Sequence, residues 1–145
     1  MIKNYTSSVP PERSVTYIEK RLVGHGAKNI MKTYDSNGQL GGLLFVMSVD
    51  GMDVGFNIKA KIDRITKKLS EKVKRARKDT IKKIKVQAER TAWRIIADEI
   101  DIQLTKIELD QVEMLEAFLP YVYDSGKHQT FFEKVKEGNL KLLRS

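Results

Sequence analysis

Apolar and polar positions follow two rhythms along this chain, helical at the start, alternating in the middle, and helical again to the end. Val15, Ile18 and Leu22 recur at i, i+3 and i+7, the spacing of one helix face. Pro10 and Pro11 open this helix, or Ser14 caps it; Gly24 or Gly26 ends it, since glycine accepts the left-handed C-cap conformation. The first twelve residues read as an extended arm. A β-meander follows. "IMKTYD" at 30–35 reads as its first strand, and Asn37-Gly38 fits a type I′ hairpin turn. Leu43, Phe45, Met47 and Val49 then alternate with Leu44, Val46 and Ser48. Asp50-Gly51 makes the second turn, and Met52, Val54, Phe56 and Ile58 share one face of a third strand. Gly41, Gly42 and Gly55 mark bulges or close packing against a helix.

From residue 60 the apolar spacing lengthens to three and four. Ile62, Ile65, Leu69, Val73 and Ala76 form one stripe; Ile81, Ile84, Ala88, Ala92 and Ile95 form another. "RARKDT" at 75–80 separates them, with Asp79 or Thr80 as a cap for a new helix, unless the stripe runs through. Leu104, Ile107, Val112, Leu115 and Phe118 continue the periodicity up to Pro120, whose missing N–H stops it. "EIDIQL" alternates like a strand, but helical neighbours on both sides assign it to helix. One helix from 60 to 119 would be far longer than usual, so at least one break is expected. The tail holds a turn, "YDSGKH", and a short helix around 131–136. The expected order is α-β-β-β-α-α, an α+β fold. A helix crosses a small antiparallel sheet, and the second half extends as a helical hairpin or arm. Residues 1–58 and 59–145 form its two segments within one domain. No internal repeat or low-complexity tract occurs.

Composition narrows the function classes. A chain of 145 residues with 41% hydrophobic content can bury a real core, and it has no cysteine for disulfides or thiolate metal sites. The N-terminus lacks an apolar signal core, and no apolar run approaches the roughly 18 residues of a membrane span. The expectation is a soluble cytoplasmic protein.

Charge changes the picture most. The net charge of +8 is not spread evenly. Residues 1–58 carry six bases and five acids, residues 59–85 thirteen bases and three acids, and residues 86–145 eight bases and eleven acids. The basic segment attracts a polyanion. Its candidate contacts are Lys67, Lys68, Lys74, Arg75, Arg77, Lys78, Lys82, Lys83, Lys85 and Arg90. Only Asp63, Glu71 and Asp79 offer local partners, so the like charges repel, and a phosphate backbone would relieve that repulsion while releasing counterions. The competing readings are a solvated face and pairing with the acidic C-terminal half of a neighbouring subunit. A membrane-surface helix is disfavoured, because residues 60–85 hold no aromatic and one leucine.

"QAERTAWRIIADEIDIQLTKIELDQVEMLEAFLPYVYD", with "GKHQTFFEKV" and "KNYTSSVPPERSVTYIEKRLVGHGAKNIMKTYD", resembles small proteins encoded by bacteriophages and prophages. The resemblance covers most of the chain and transfers no catalytic or binding residue. It implies a mobile-element protein in a bacterial host cytoplasm, a setting in which small proteins bind DNA or RNA or inhibit a host defence factor.

Other candidate chemistry is weaker. Arg90 and Arg94 flank Trp93, which suits base stacking, though a lone Trp at helical spacing suits core packing better. Asp98 with Asp101, and Glu113 with Glu116, have the i, i+3 spacing of metal-binding carboxylates, but no histidine completes a ligand set, so a solvated acidic face is favoured. His25 and His128 lack metal spacing and sit in no nucleophile pattern. There is no P-loop or dinucleotide fingerprint. The aromatics of "FLPYVY" and "TFF" read as a packing cluster or subunit contact. The expectation is a non-enzyme without cofactor or metal. Its partners are DNA or RNA, and it forms a homo-oligomer. The alternative is an oligomeric protein that inhibits a host factor or captures a nucleotide signal.

Overall fold

The computed structural model describes residues 3–75 and 77–144. Strands β1 (Asn29–Tyr34), β2 (Leu40–Val49) and β3 (Met52–Lys59) pair antiparallel in that order. Period-2 alternation puts Leu43, Phe45, Met47, Phe56 and Ile58 in the core. Helix α1 (Pro11–Gly24) adds Val15, Ile18 and Leu22, and α3 (Lys78–Glu108) adds Trp93, Ala97, Ile100 and Leu104. Phe45 and Phe56 are cross-strand partners with rings stacked at 5.3 Å. Phe118, from the short α4 (Met114–Phe118), stands edge-on to both at 6.2 Å, closing the same core. The fold is α+β, in the order the sequence pattern suggests, and one core draws on both segments.

Local details depart from expectation for identifiable reasons. Pro10 is the N-cap of α1 and Pro11 its first residue, where the absent N–H costs nothing; Ser14 lies buried inside the helix and does not cap it. Residues 3–6 form a turn rather than an extended arm. The segment is strapped to α3: Asn4 Nδ2 donates to Asp98 (2.9 Å), Thr91 Oγ1 donates to the Asn4 carbonyl (2.9 Å), and Gln87 Nε2 donates to the Ser7 carbonyl (3.0 Å). The first hairpin is not type I′. Only Gly38 takes a left-handed φ (75°), the Gly38 N–H reaches the Asp35 carbonyl, and the Asp35 carboxylate accepts from the N–H groups of Asn37 and Gln39 at 2.9 Å each. Those bonds hold a three-residue loop. Asp50-Gly51 does form the two-residue turn, with φ of 52° and 83°. Gly41 is the extra residue of a bulge, since Thr33 pairs with Gly42 but Tyr34 with Leu40. Gly42 is tight across the sheet, not against a helix: a Cβ there would lie 2.8 Å from Thr33 Oγ1.

The helical half breaks where the charge is densest. Helix α2 (Ile62–Ser70) ends, residues 71–75 turn, and α3 begins with Arg77 as N-cap in place of Asp79 or Thr80. A continuous helix would stack Lys68 on Lys72 and Lys74 on Lys78 as repulsive i, i+4 pairs, with little apolar surface to hold it. Val73 is exposed, and Ala76, expected in the stripe, lies outside the described residues. Folding back instead lets Ile65 and Leu69 pack on the core beside α3. Helix α3 runs through "EIDIQL" but stops at Glu108, well before Pro120, which sits in a 3₁₀ turn (Leu119–Tyr121). The cause is distant: a straight continuation would carry Phe118 about 21 Å beyond Leu104, away from the Phe45–Phe56 pair. Asp110, at φ 55°, helps turn the chain back, so Val112 leaves the helical stripe and Leu115 is exposed on α4.

A small hairpin, β4 (Tyr123–Asp124) with β5 (Gln129–Thr130), was not evident from periodicity. Val122 bridges to Phe56, so this segment covers the outer edge of β3. Thr130 then caps α5 (Phe131–Glu137), the tail helix expected at 131–136, in a reciprocal box with Glu133. No helix among the described residues is long and apolar enough to cross a membrane.

Candidate nucleic-acid interface

Helices α2 and α3 form a hairpin that turns over residues 71–75. Ile65 and Leu69 face inward, so Lys67 falls on the outer side of α2, while Arg64 and Lys68 flank the groove toward Thr91 and Ile95 of α3; all three are exposed. The turn brings Lys74, Arg75, Arg77 and Lys78 together at the tip, also exposed. Arg75 takes φ 58° there, and α3 starts without a side-chain cap, so the positive end of its dipole adds to the cations.

Beyond the tip the candidate residues diverge. At about 100° per residue, Lys78, Lys82 and Lys85 follow one line along α3, while Lys83 and Arg90 follow another about 100° or more around the helix. Lys82 and Lys83 are exposed; Lys85 and Arg90 are half-buried. Lys85 also lies near Glu89, whose carboxyl is pushed up by burial and by Glu12 and Asp35, against the pull of Gln39 and Lys85. Arg64 and Lys72 stand outside the candidate set yet belong to the same surface; the i, i+3, i+4 spacing of Arg64, Lys67 and Lys68 is the signal for the first.

Several cations elsewhere are paired, while Arg13, Lys20, Lys106, Lys127, Lys134, Lys136, Lys141 and Arg144 form no ion pair among the described residues. Arg21 binds Asp101 and Glu108 at 3.0 Å each, Lys28 binds Asp53 at 2.8 Å, Lys32 binds Glu19 at 3.3 Å, Lys59 binds Glu133 at 3.1 Å and Arg94 binds Asp98 at 3.4 Å. None of the basic side chains from Lys61 to Arg90 forms an ion pair among the described residues. The acids of the second half of α3 are engaged. Asp98 faces Lys3, Asn4 and Arg94, and Asp101 accepts from Arg21 and from the Tyr17 hydroxyl at 2.7 Å, a bond that, with burial, pushes the Tyr17 phenol up.

These pairings also decide the minor candidates. Asp98 and Asp101 are held by cations and amides, Glu113 and Glu116 form the capping box of α4, and no cluster of three or more metal-ligating side chains occurs among the described residues. Trp93 is fully buried and donates from Nε1 to the Leu40 carbonyl at 3.2 Å, so it is a core residue and stacks on no base. His25 bridges the Arg21 carbonyl and Glu108. His128 sits by Tyr123 in the β4–β5 turn. Of the tail aromatics, Phe118 is core and Phe132 is exposed.

No family model, no curated protein and no solved structure matches this chain.

Proposed function

We propose that this chain is a small phage-type nucleic-acid-binding protein that grips the phosphate backbone of DNA or RNA through the α2–α3 hairpin. One observation carries the reading. The hairpin gathers exposed cations at one tip and none of them has an ion pair among the described residues, whereas Arg21, Lys28, Lys32, Lys59 and Arg94 are each paired with a carboxylate. A merely solvated helix mixes both signs, commonly as i, i+4 pairs. Here the segment instead stores repulsion that a polyanion relieves.

Lys74, Arg75, Arg77 and Lys78 make the central phosphate contacts, and Lys67, Lys68 and Lys82 extend them. Lys83, Lys85 and Arg90 complete the candidate set from the flanks of α3. Sequence preference is low, because phosphate contacts position a protein without reading base edges. The phage resemblance sets this activity in a bacterial host cytoplasm.

The test is fluorescence anisotropy with random-sequence DNA and RNA, duplex and single-stranded, against the wild type and a Lys74→Glu/Arg75→Glu/Arg77→Glu/Lys78→Glu variant. Salt-sensitive binding that the variant loses, with its circular dichroism spectrum unchanged, supports the reading. Unchanged affinity in the variant, or no binding by the wild type, removes it.

A further inference from the structure

A cavity of about 500 Å³ opens where α2, α3, β3 and the segment from Pro120 to Glu133 meet. That size lies within the roughly 300–1,000 Å³ typical of small-ligand pockets. Ile65, Ile95, Ile96, Pro120 and Phe132 provide its apolar walls. Tyr121 contributes its ring, because its hydroxyl is committed to Glu99 at 2.7 Å.

The charge at this cavity is one-sided once internal bonds are counted. Lys59, Lys61, Arg64 and Glu133 line it. Glu133 already accepts from Lys59 Nζ at 3.1 and 3.2 Å and from the Thr130 N–H at 2.8 Å. Lys61 and Arg64 have no ion pair among the described residues. Asn57 also lines the cavity; it is 8% exposed, and its Oδ1 has no hydrogen-bond partner.

Apolar walls and two uncommitted cations specify a ligand class. We infer that this cavity binds a small amphipathic anion: an apolar body seated among the isoleucines, with one carboxylate- or phosphate-type head held by Lys61 and Arg64. The inference stands apart from the nucleic-acid reading: it shares only Arg64 with that surface, leaves the tip residues Lys74, Arg75, Arg77 and Lys78 unused, and takes a ligand without a polymeric backbone.

Isothermal titration of the full chain with decanoate, decyl phosphate and decanol tests it, with inorganic phosphate as the head-only control. Saturable binding of decanoate or decyl phosphate is expected, at least tenfold tighter than decanol or phosphate, and the better anion identifies the head. Arg64→Glu should weaken it at least tenfold with an unchanged melting temperature. Ile95→Trp, or Ile65→Trp if the former misfolds, should abolish it by filling the cavity. Equal binding of decanol and the anions, undiminished binding by the filled variant, or no binding of either anion would overturn the inference.

Discussion

Replacing Lys74, Arg75, Arg77 and Lys78 by glutamate perturbs the interface where it is densest, and the structure sets the size of the effect. The ten candidate cations wrap around a hairpin, and the two lines on α3 diverge by about 100° or more, so only about half can face one duplex together. Taking about five phosphate contacts, the logarithm of affinity should fall against the logarithm of salt with a slope of about −4.5. Between about 50 and 200 mM salt, affinity then drops about 500-fold; a single strand, with its weaker counterion condensation, loses about 130-fold. Removing four of those contacts flattens the duplex slope to about −1 and the loss to about fourfold. Anisotropy of a labelled duplex across a salt series measures both slopes. Folding should not suffer, because the four side chains are exposed and have no ion pair among the described residues. Thermal melting is therefore the control. A wild-type slope shallower than about −2, or equal slopes for the two proteins, would refute the reasoning.

Three structural predictions accompany it. Phe118→Ala removes the ring that closes the Phe45–Phe56 pair and should cost about 3–5 kcal/mol, measured by urea unfolding followed through Trp93 emission. Gly42→Ala forces a Cβ to 2.8 Å from Thr33 Oγ1 and 3.1 Å from the Ile58 carbonyl and should cost about 1–3 kcal/mol; restoration of stability by adding Thr33→Ala checks the contact. The Thr130 N–H, then Lys59, hold the Glu133 carboxyl below the usual glutamate range. A depressed folded value means stabilisation that is full above the unfolded value near about 4.3 and is lost as pH falls through the folded one. The melting temperature should fall less on acidification in Glu133→Gln than in the wild type; parallel curves would reject that role.

What the sequence made readable depended on how local the cause was. Met52 to Ile58 alternate within one strand, and the second hairpin turn is written in Asp50-Gly51 itself. The cationic segment is likewise a matter of composition. By contrast, nothing near Glu108 announces the end of α3: the turn serves to bring Phe118 onto two rings of the sheet. The break before α3 is expected at "RARKDT" from helix length, although no proline or glycine marks it; it follows from repulsion together with the inward pull on Ile65 and Leu69. Which cations are neutralised was also hidden. Arg21 and Lys78 look alike in sequence, yet the packing of α1 beside α3 gives the first two carboxylates.

The unbroken length of α3 has a mechanical consequence. At 31 residues it is a beam about 46 Å long, with the cationic tip at one end and the Arg21 clamp on Asp101 and Glu108 near the other. The strap at Gln87 and Thr91 acts as an intermediate support. A polymer bound at the tip would meet no joint within α3, and the load would pass by Trp93 into the clamp. The tip thus holds its bearing relative to the sheet, as a bracket does rather than a tether.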